Sequence, residues 1–124
     1  MAEAFEVRAV ARYIQESPQK VRLVVDVVRG MGAKKAMNTL GFMPHKAAKP
    51  IYKLIQSAVA NAEQNYGLEA DELYVKRIFA DDGPRRRLAP YGGRFGSRGR
   101  FKPIVRRSSH ITVILSEREV VEYK

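Results

Sequence analysis

The sequence predicts an α+β protein made of three helices, three strands and a long basic β-hairpin. Apolar residues recur with a period of two in three segments, as expected of half-buried strands. They recur at helical spacing in the chain between the first two of these segments. A stretch rich in Gly, Pro and Arg, residues 81–103, separates the last two strands and forms the predicted hairpin.

The first strand and the first helix are predicted near the N-terminus. Residues 5–12 alternate apolar with mainly charged side chains. Ser17 and Pro18 predict the start of a helix. The Ser17 hydroxyl can accept a hydrogen bond from a free backbone N–H, and the N–H that Pro18 lacks would have no partner in the first turn. Four valines at i, i+3, i+4 and i+7 predict a helix over residues 18–29, which Gly30 ends in a left-handed conformation.

Two more helices and two more strands follow. We predict a short second helix over residues 34–40 and a third helix from position 47 to about 66. Pro50 removes one helical hydrogen bond and crowds a carbonyl, so we expect a kink there or a later start. Strand alternation returns at residues 72–79 and at 109–116.

The positive charge is concentrated in one segment. The chain has 23 Lys and Arg against 13 Asp and Glu, a formal net charge of +10. Residues 85–107 hold nine bases and no acid, whereas the other 101 residues hold 14 bases and 13 acids. Eight of the nine bases are Arg, whose planar guanidinium binds phosphate oxygens in pairs and stacks on nucleobases.

The same segment is expected to be an antiparallel β-hairpin rather than a loop. Unstructured loops of this length are uncommon in compact domains, and strand-like residues enter and leave it. Its arginines cannot be buried without a partner. Tyr91, Phe95 and Phe101 interleave with the bases and can stack on nucleobases. These features favour a nucleic-acid partner, RNA ahead of DNA; the alternative is a disordered Arg/Gly-rich segment or a solvated patch.

Composition excludes several other classes of protein. Without Cys there is no disulfide or thiolate metal site, and the two histidines, His45 and His110, are 65 positions apart. The longest unbroken apolar run has three residues, against roughly 18 needed to span a bilayer. The N-terminus carries acids where a signal peptide carries bases, so we expect a cytosolic protein that is not bound to a membrane.

We predict no enzyme, no cofactor and no metal site. Asp81 and Asp82 are adjacent on a predicted strand and would face opposite sides of it. His110 follows a serine but lies within a strand pattern, which favours a structural role. Two alternatives stay open: an architectural DNA-binding protein with Pro90 as a wedge, and a nuclease using Asp81, Asp82 and His110.

The motif SPQKVRLVVDVVRG at residues 17–30 resembles the first-helix motif of the large-subunit ribosomal protein twenty-two family. Four further blocks resemble the later motifs of that family in the same order, and the match covers about residues 7–118. These blocks are Lys46-Ala47-Ala48, residues 57–63, Gly83-Pro84 and residues 109–113.

The resemblance implies three helices packed on a three-stranded antiparallel sheet with a long protruding hairpin. It implies one domain over residues 1–124, with a globular part at about 5–80 and 104–118. The extended hairpin would span about 81–103, and residues 119–124 would be a C-terminal extension.

The resemblance also implies a structural constituent of the large ribosomal subunit in the cytoplasm. Such a protein binds large-subunit ribosomal RNA, supports subunit assembly and lines the nascent-peptide exit tunnel with its hairpin. Its partners would be that RNA, neighbouring ribosomal proteins and the passing nascent peptide, with no small-molecule substrate.

Specific residues are expected to carry these contacts. The bases expected to bind RNA are Lys20, Arg22, Arg85, Arg86, Arg87, Arg94, Arg98, Arg100, Lys102, Arg106 and Arg107. The residues expected at the hairpin tip, facing the tunnel, are Pro90, Tyr91, Gly92, Gly93 and Phe95. The family commonly has Pro-Arg-Ala-x-Gly-Arg-Ala here, whereas this chain is richer in glycine and aromatic residues.

Overall fold

The structure, a computed structural model, describes residues 6–87, 93–95, 101–103 and 105–117. Within that part of the chain, three helices pack on a three-stranded antiparallel sheet, which confirms the predicted fold class. The globular elements are β1 (Glu6–Ile14), α1 (Pro18–Val28), α2 (Ala33–Phe42), α3 (Ala48–Tyr66), a 3-10 turn (Ala70–Glu72), β2 (Leu73–Asp82) and β7 (Ser109–Glu117). The hairpin contributes β3 (Arg86–Arg87), β4 (Gly93–Phe95), β5 (Phe101–Pro103) and β6 (Val105–Arg106).

The last strand in the chain is the central strand of the sheet. The strand order is β1-β7-β2, and β7 pairs antiparallel with both neighbours. Ile111, Val113 and Leu115 of β7 are fully buried beneath the helices. On the opposite face, β1 exposes its charged side chains Glu6 and Arg8. The helices therefore cover one face of the sheet, as the period-two pattern predicted.

Helix α1 has the start and the buried face that the sequence predicted, and it ends at Val28, one residue before the predicted end. The Ser17 hydroxyl accepts a hydrogen bond from the backbone N–H of Lys20, and Pro18 lies in the first turn. The four valines of the predicted stripe are buried. Gly30 adopts a φ of 82°, the left-handed conformation that costs glycine little.

Helices α2 and α3 differ from the prediction in detail. Helix α2 continues through Gly41, where we expected it to stop, and ends at Phe42. Helix α3 begins at Ala48, so Pro50 lies in its first turn. A backbone N–H at that position has no partner within the helix, which is why a proline fits without a kink.

The connection between α1 and α2 covers the edge of β2. The N–H of Gly30 donates to the carbonyl of Val75 at 3.0 Å, and the N–H of Val75 donates to the carbonyl of Met31 at 2.8 Å. An uncovered strand edge is a template for pairing with another chain. These two bonds close the edge at the start of β2.

An ion pair joins the two edge strands. The Lys76 ammonium on β2 donates to the Glu6 carboxylate on β1 and holds the pKa of that carboxyl below its ordinary value. A carboxylate with a lowered pKa in the folded state contributes stability that is lost as the pH falls through that pKa. Both side chains are partly exposed, so salt weakens the pair.

The hairpin is antiparallel in every pair that the structure describes. Arg86 and Arg106 are opposite each other in β3 and β6, and Phe95 and Phe101 are opposite each other in β4 and β5. Of the predicted tip, Gly93 and Phe95 lie on β4, while Pro90, Tyr91 and Gly92 lie outside the described residues.

Two further expectations concern the ends of the chain and its relation to membranes. The predicted C-terminal extension, residues 119–124, and Phe5 lie outside the described residues. Within the described ranges, no helix is both long enough and apolar enough to cross a membrane.

Truncating the buried face of α1 tests the core. Val24 is fully buried, whereas Leu23 beside it is 63% exposed. We expect Val24→Ala to lower the free energy of unfolding by about 1–2 kcal/mol, because it leaves a cavity, and Leu23→Ala to change it by less than about 0.5 kcal/mol. Urea denaturation measures both values. Equal losses in the two variants would contradict this assignment of the buried face.

Candidate nucleic-acid interface

Bases from separate parts of the chain meet where the hairpin leaves the sheet. They come from the start of α1 and from both arms of the hairpin, and they line two adjoining cavities of about 290 and 380 Å³. Both cavities include Arg107 in their walls. We call these bases the basic cluster; its members are Lys20, Arg22, Arg85, Arg106 and Arg107.

A close contact between Gly83 and Ser108 holds the two arms together at this point. The N–H of Gly83 donates to the carbonyl of Ser108 at 2.9 Å, and the Ser108 hydroxyl donates to the carbonyl of Pro84 at 2.8 Å. A Cβ atom at Gly83 would be 2.4 Å from the Ser108 hydroxyl oxygen and 3.0 Å from its carbonyl carbon. Only glycine fits there unless Ser108 moves. The contact therefore fixes the backbone positions from which Arg85 and Arg107 extend.

Arg22 belongs to the cluster and also supports the fold. One nitrogen of its guanidinium donates to the carbonyl of Ala80 on β2 at 3.1 Å. Arg29, two helical turns later, donates in the same way to the carbonyl of Ile78 at 3.1 Å. A guanidinium has five N–H donors, so Arg22 keeps several for a ligand. Sequence reasoning missed both bonds, because nothing in the local sequence shows which distant carbonyl a side chain reaches.

The structure brings together five of the eleven predicted RNA-binding residues. Among the others, Arg86 and Arg87 form β3, and Arg94 is directly opposite Lys102 in the β4–β5 pair. Arg98 and Arg100 lie outside the described residues. Arg86 is likewise opposite Arg106.

His110 has a structural partner that the sequence did not show. Its Nδ1 atom accepts a hydrogen bond from the backbone N–H of Tyr13 at 3.0 Å, and the two rings meet edge to face with centroids 5.0 Å apart. Tyr13 has a φ of 59°, unusual for a non-glycine residue, at an irregularity in the β1–β7 pairing. His110 therefore helps to hold a bulge in β1.

The two aspartates of the nuclease alternative have different surroundings. Asp81 is opposite His110 in the sheet, and Asp82 is opposite Ser109. Of the two aspartates, only Asp82 lines the 290 Å³ cavity. In the part of the chain that the structure describes, no group of three or more His, Asp or Glu side chains is placed to hold a metal ion.

A wider groove of about 700 Å³ adjoins the basic cluster between β1 and α3. Its walls include apolar side chains such as Val10 and Leu54, and Lys46, Lys49 and Lys53 also line it. Gln15 and Glu16 line both this groove and the 380 Å³ cavity. The three lysines are three and four positions apart in the sequence. This spacing places them on one side of a helix, so the sequence contained a signal for this surface.

A cationic surface that gathers bases from separate parts of the chain is typical of proteins that bind a polyanion. The chain matches the family model described as Ribosomal protein L22p/L17e over residues 9–116, and it belongs to that family. The predicted resemblance is thereby confirmed. The family is one of ribosomal proteins, which agrees with the expectation that the chain is not an enzyme.

Similar proteins from several organisms carry one name. One from Thermomicrobium roseum, "Large ribosomal subunit protein uL22", is 50% identical over 113 residues, covering 90% of this chain and 92% of the relative. One of the same name from Desulfotalea psychrophila is 51% identical, covering 90% and 98%. A third, from Chloroflexus aggregans, is 46% identical, covering 91% and 96%.

Substitution of Gly83 tests the contact at the hairpin base. We expect Gly83→Ala to lower the free energy of unfolding by about 1–3 kcal/mol, because the new methyl group overlaps Ser108. Adding Ser108→Ala should restore only part of the loss, since the backbone of residue 108 remains within 3.0 to 3.1 Å of the new Cβ.

The control for this experiment is Gly41→Ala. Gly41 lies within α2 with open space where a Cβ would be, so alanine should be neutral or stabilising by up to about 1 kcal/mol. Thermal or urea unfolding measures all three variants. If the Gly83→Ala protein were as stable as the wild type, residues 83 and 108 could move apart without loss of stability, which would contradict the account of this contact.

Proposed function

We propose that this chain is a structural constituent of the large ribosomal subunit that binds large-subunit ribosomal RNA and lines the nascent-peptide exit tunnel with its hairpin. Membership of a ribosomal protein family and relatives named for the large subunit support the proposal. Its partners are that RNA, neighbouring ribosomal proteins and the passing nascent peptide, and its location is the cytoplasmic ribosome. Its role in assembly follows from holding RNA segments together.

The observation that carries the proposal is the basic cluster. Lys20 and Arg22 precede Arg85 by more than sixty positions in the chain, yet they line the same pair of cavities. All five side chains of the cluster are exposed, so they are accessible to a large partner. Positively charged side chains gathered from separate segments form a surface that matches the phosphates of a folded RNA.

Binding acts through charge neutralisation. Folded RNA brings phosphates close together, and a cationic surface between two RNA segments reduces their repulsion. The cluster can contact one segment while the hairpin follows another, because the hairpin leaves the globular part at the cluster. No chemical step is involved, and the RNA phosphates pair with arginines that the protein cannot bury in its own core.

The length of the hairpin segment suits the tunnel role. A strand rises about 3.3 Å per residue, so an extended arm of roughly ten residues would reach about 30 Å. A two-stranded arm is narrow, and the glycines of this segment allow close approach of its backbone to RNA. In this proposal the cluster anchors the base of the hairpin on RNA and the far end faces the tunnel.

Neutralising the cluster tests the RNA-binding function. We expect Arg85→Gln, Arg106→Gln and Arg107→Gln in combination to weaken binding to large-subunit ribosomal RNA and to reduce the slope of log affinity against log salt by about 2–3. Each phosphate contact contributes roughly 0.7–0.9 to that slope. Fluorescence titrations across a salt series measure both quantities.

The matched control changes the same amount of charge elsewhere. Arg8, Lys35 and Arg77 are exposed and line neither cavity, so their combined change to Gln should leave most of the salt slope in place. Equal loss of slope in the two triple variants would contradict the assignment to the cluster. Tighter binding to duplex DNA than to ribosomal RNA would favour the architectural alternative instead.

A further inference from the structure

One cavity of the basic cluster combines guanidinium groups with a carboxylate. Arg22, Arg85 and Arg107 line this cavity of about 290 Å³ together with Asp82, the last residue of β2. Its volume is at the lower end of the range for small-ligand sites. Among the described residues, no hydrogen bond or ion pair reaches the Asp82 carboxylate, although three arginines share its cavity.

This mixture of charges selects a particular kind of ligand. A lone anion would be attracted by the arginines and repelled by Asp82, and a cation would meet the opposite conflict. A ligand that carries an anionic group next to a neutral O–H donor can bind the arginines through the anion and Asp82 through the hydroxyl. The ribose–phosphate backbone of RNA has this arrangement, because each 2′-hydroxyl lies beside a phosphate. DNA has the phosphate and lacks the hydroxyl.

We propose that this cavity binds one ribose–phosphate unit of RNA, with the arginines on the phosphate and the Asp82 carboxylate accepting a hydrogen bond from the 2′-hydroxyl. The inference rests on the RNA-binding function proposed above and adds the residue that distinguishes RNA from DNA. Asp82 then has a role in binding, whereas the sequence suggested a role for it only in the nuclease alternative.

The walls of the cavity are held in place by bonds within the protein. Arg22 is fixed by its hydrogen bond to the carbonyl of Ala80. The contact between Gly83 and Ser108 fixes the chain on both sides of the cavity, and pairing with Ser109 fixes the backbone of Asp82. A preorganised site loses less conformational entropy when the ligand binds, which favours selectivity at a single nucleotide.

The test compares two polymers that differ only in the sugar, oligouridine and oligo-2′-deoxyuridine of equal length. The variant is Asp82→Ala in the full chain. The matched control is Asp81→Ala, which removes the same charge from the neighbouring residue, opposite His110 and outside the cavity. Both aspartates are exposed, so neither change should prevent folding, and circular dichroism checks this.

We expect the wild type and Asp81→Ala to bind oligouridine about tenfold more tightly than the deoxy polymer, the effect of one hydrogen bond to a charged group. In Asp82→Ala the ratio should fall to about one, because binding to the deoxy polymer is kept or strengthened while the gain from the hydroxyl is lost. A ratio unchanged by Asp82→Ala overturns this inference and leaves the proposed function standing. Failure of the wild type to bind either polymer or ribosomal RNA in a salt-dependent manner overturns the proposed function as well.

Discussion

The close contact between Gly83 and Ser108 joins two parts of the chain that have opposite physical requirements. On one side is a sheet whose buried residues are mainly apolar, and on the other is a hairpin segment with nine bases and no acid. The contact brings the arms together where the sheet ends, so the bases after Gly83 and before Ser108 meet those at the start of α1. If the two arms were further apart at this point, the basic cluster would be divided and its charge would be spread over a larger surface.

The positive charge of the chain is separated from its core. The core holds apolar side chains from all three helices and from the three strands of the sheet. The hairpin segment holds nine bases and no acid, and its register places Arg94 opposite Lys102. Hydrophobic burial therefore stabilises the globular part, while the charge lies in a segment that leaves it.

The sequence was sufficient for the elements but not for the long-range side-chain contacts. Helix α1 could be predicted from Ser17, Pro18 and the valine spacing, because capping and periodicity are local properties. The hairpin could be predicted from its composition. The bond from Arg22 to Ala80, the edge-to-face contact of Tyr13 with His110 and the position of Asp82 among three arginines depend on which strands become neighbours. Strand β7 enters the sheet between β1 and β2, and no local pattern specifies that order.

The most direct test of the central claim is whether the tagged protein, expressed in its own cells, sediments with the large ribosomal subunit through a gradient at moderately high salt. The account predicts retention in the large-subunit fractions, because many phosphate contacts made at once resist exchange with salt. Release into the light fractions, with only loosely attached RNA, would contradict it and show that the basic cluster does not anchor the protein in the subunit.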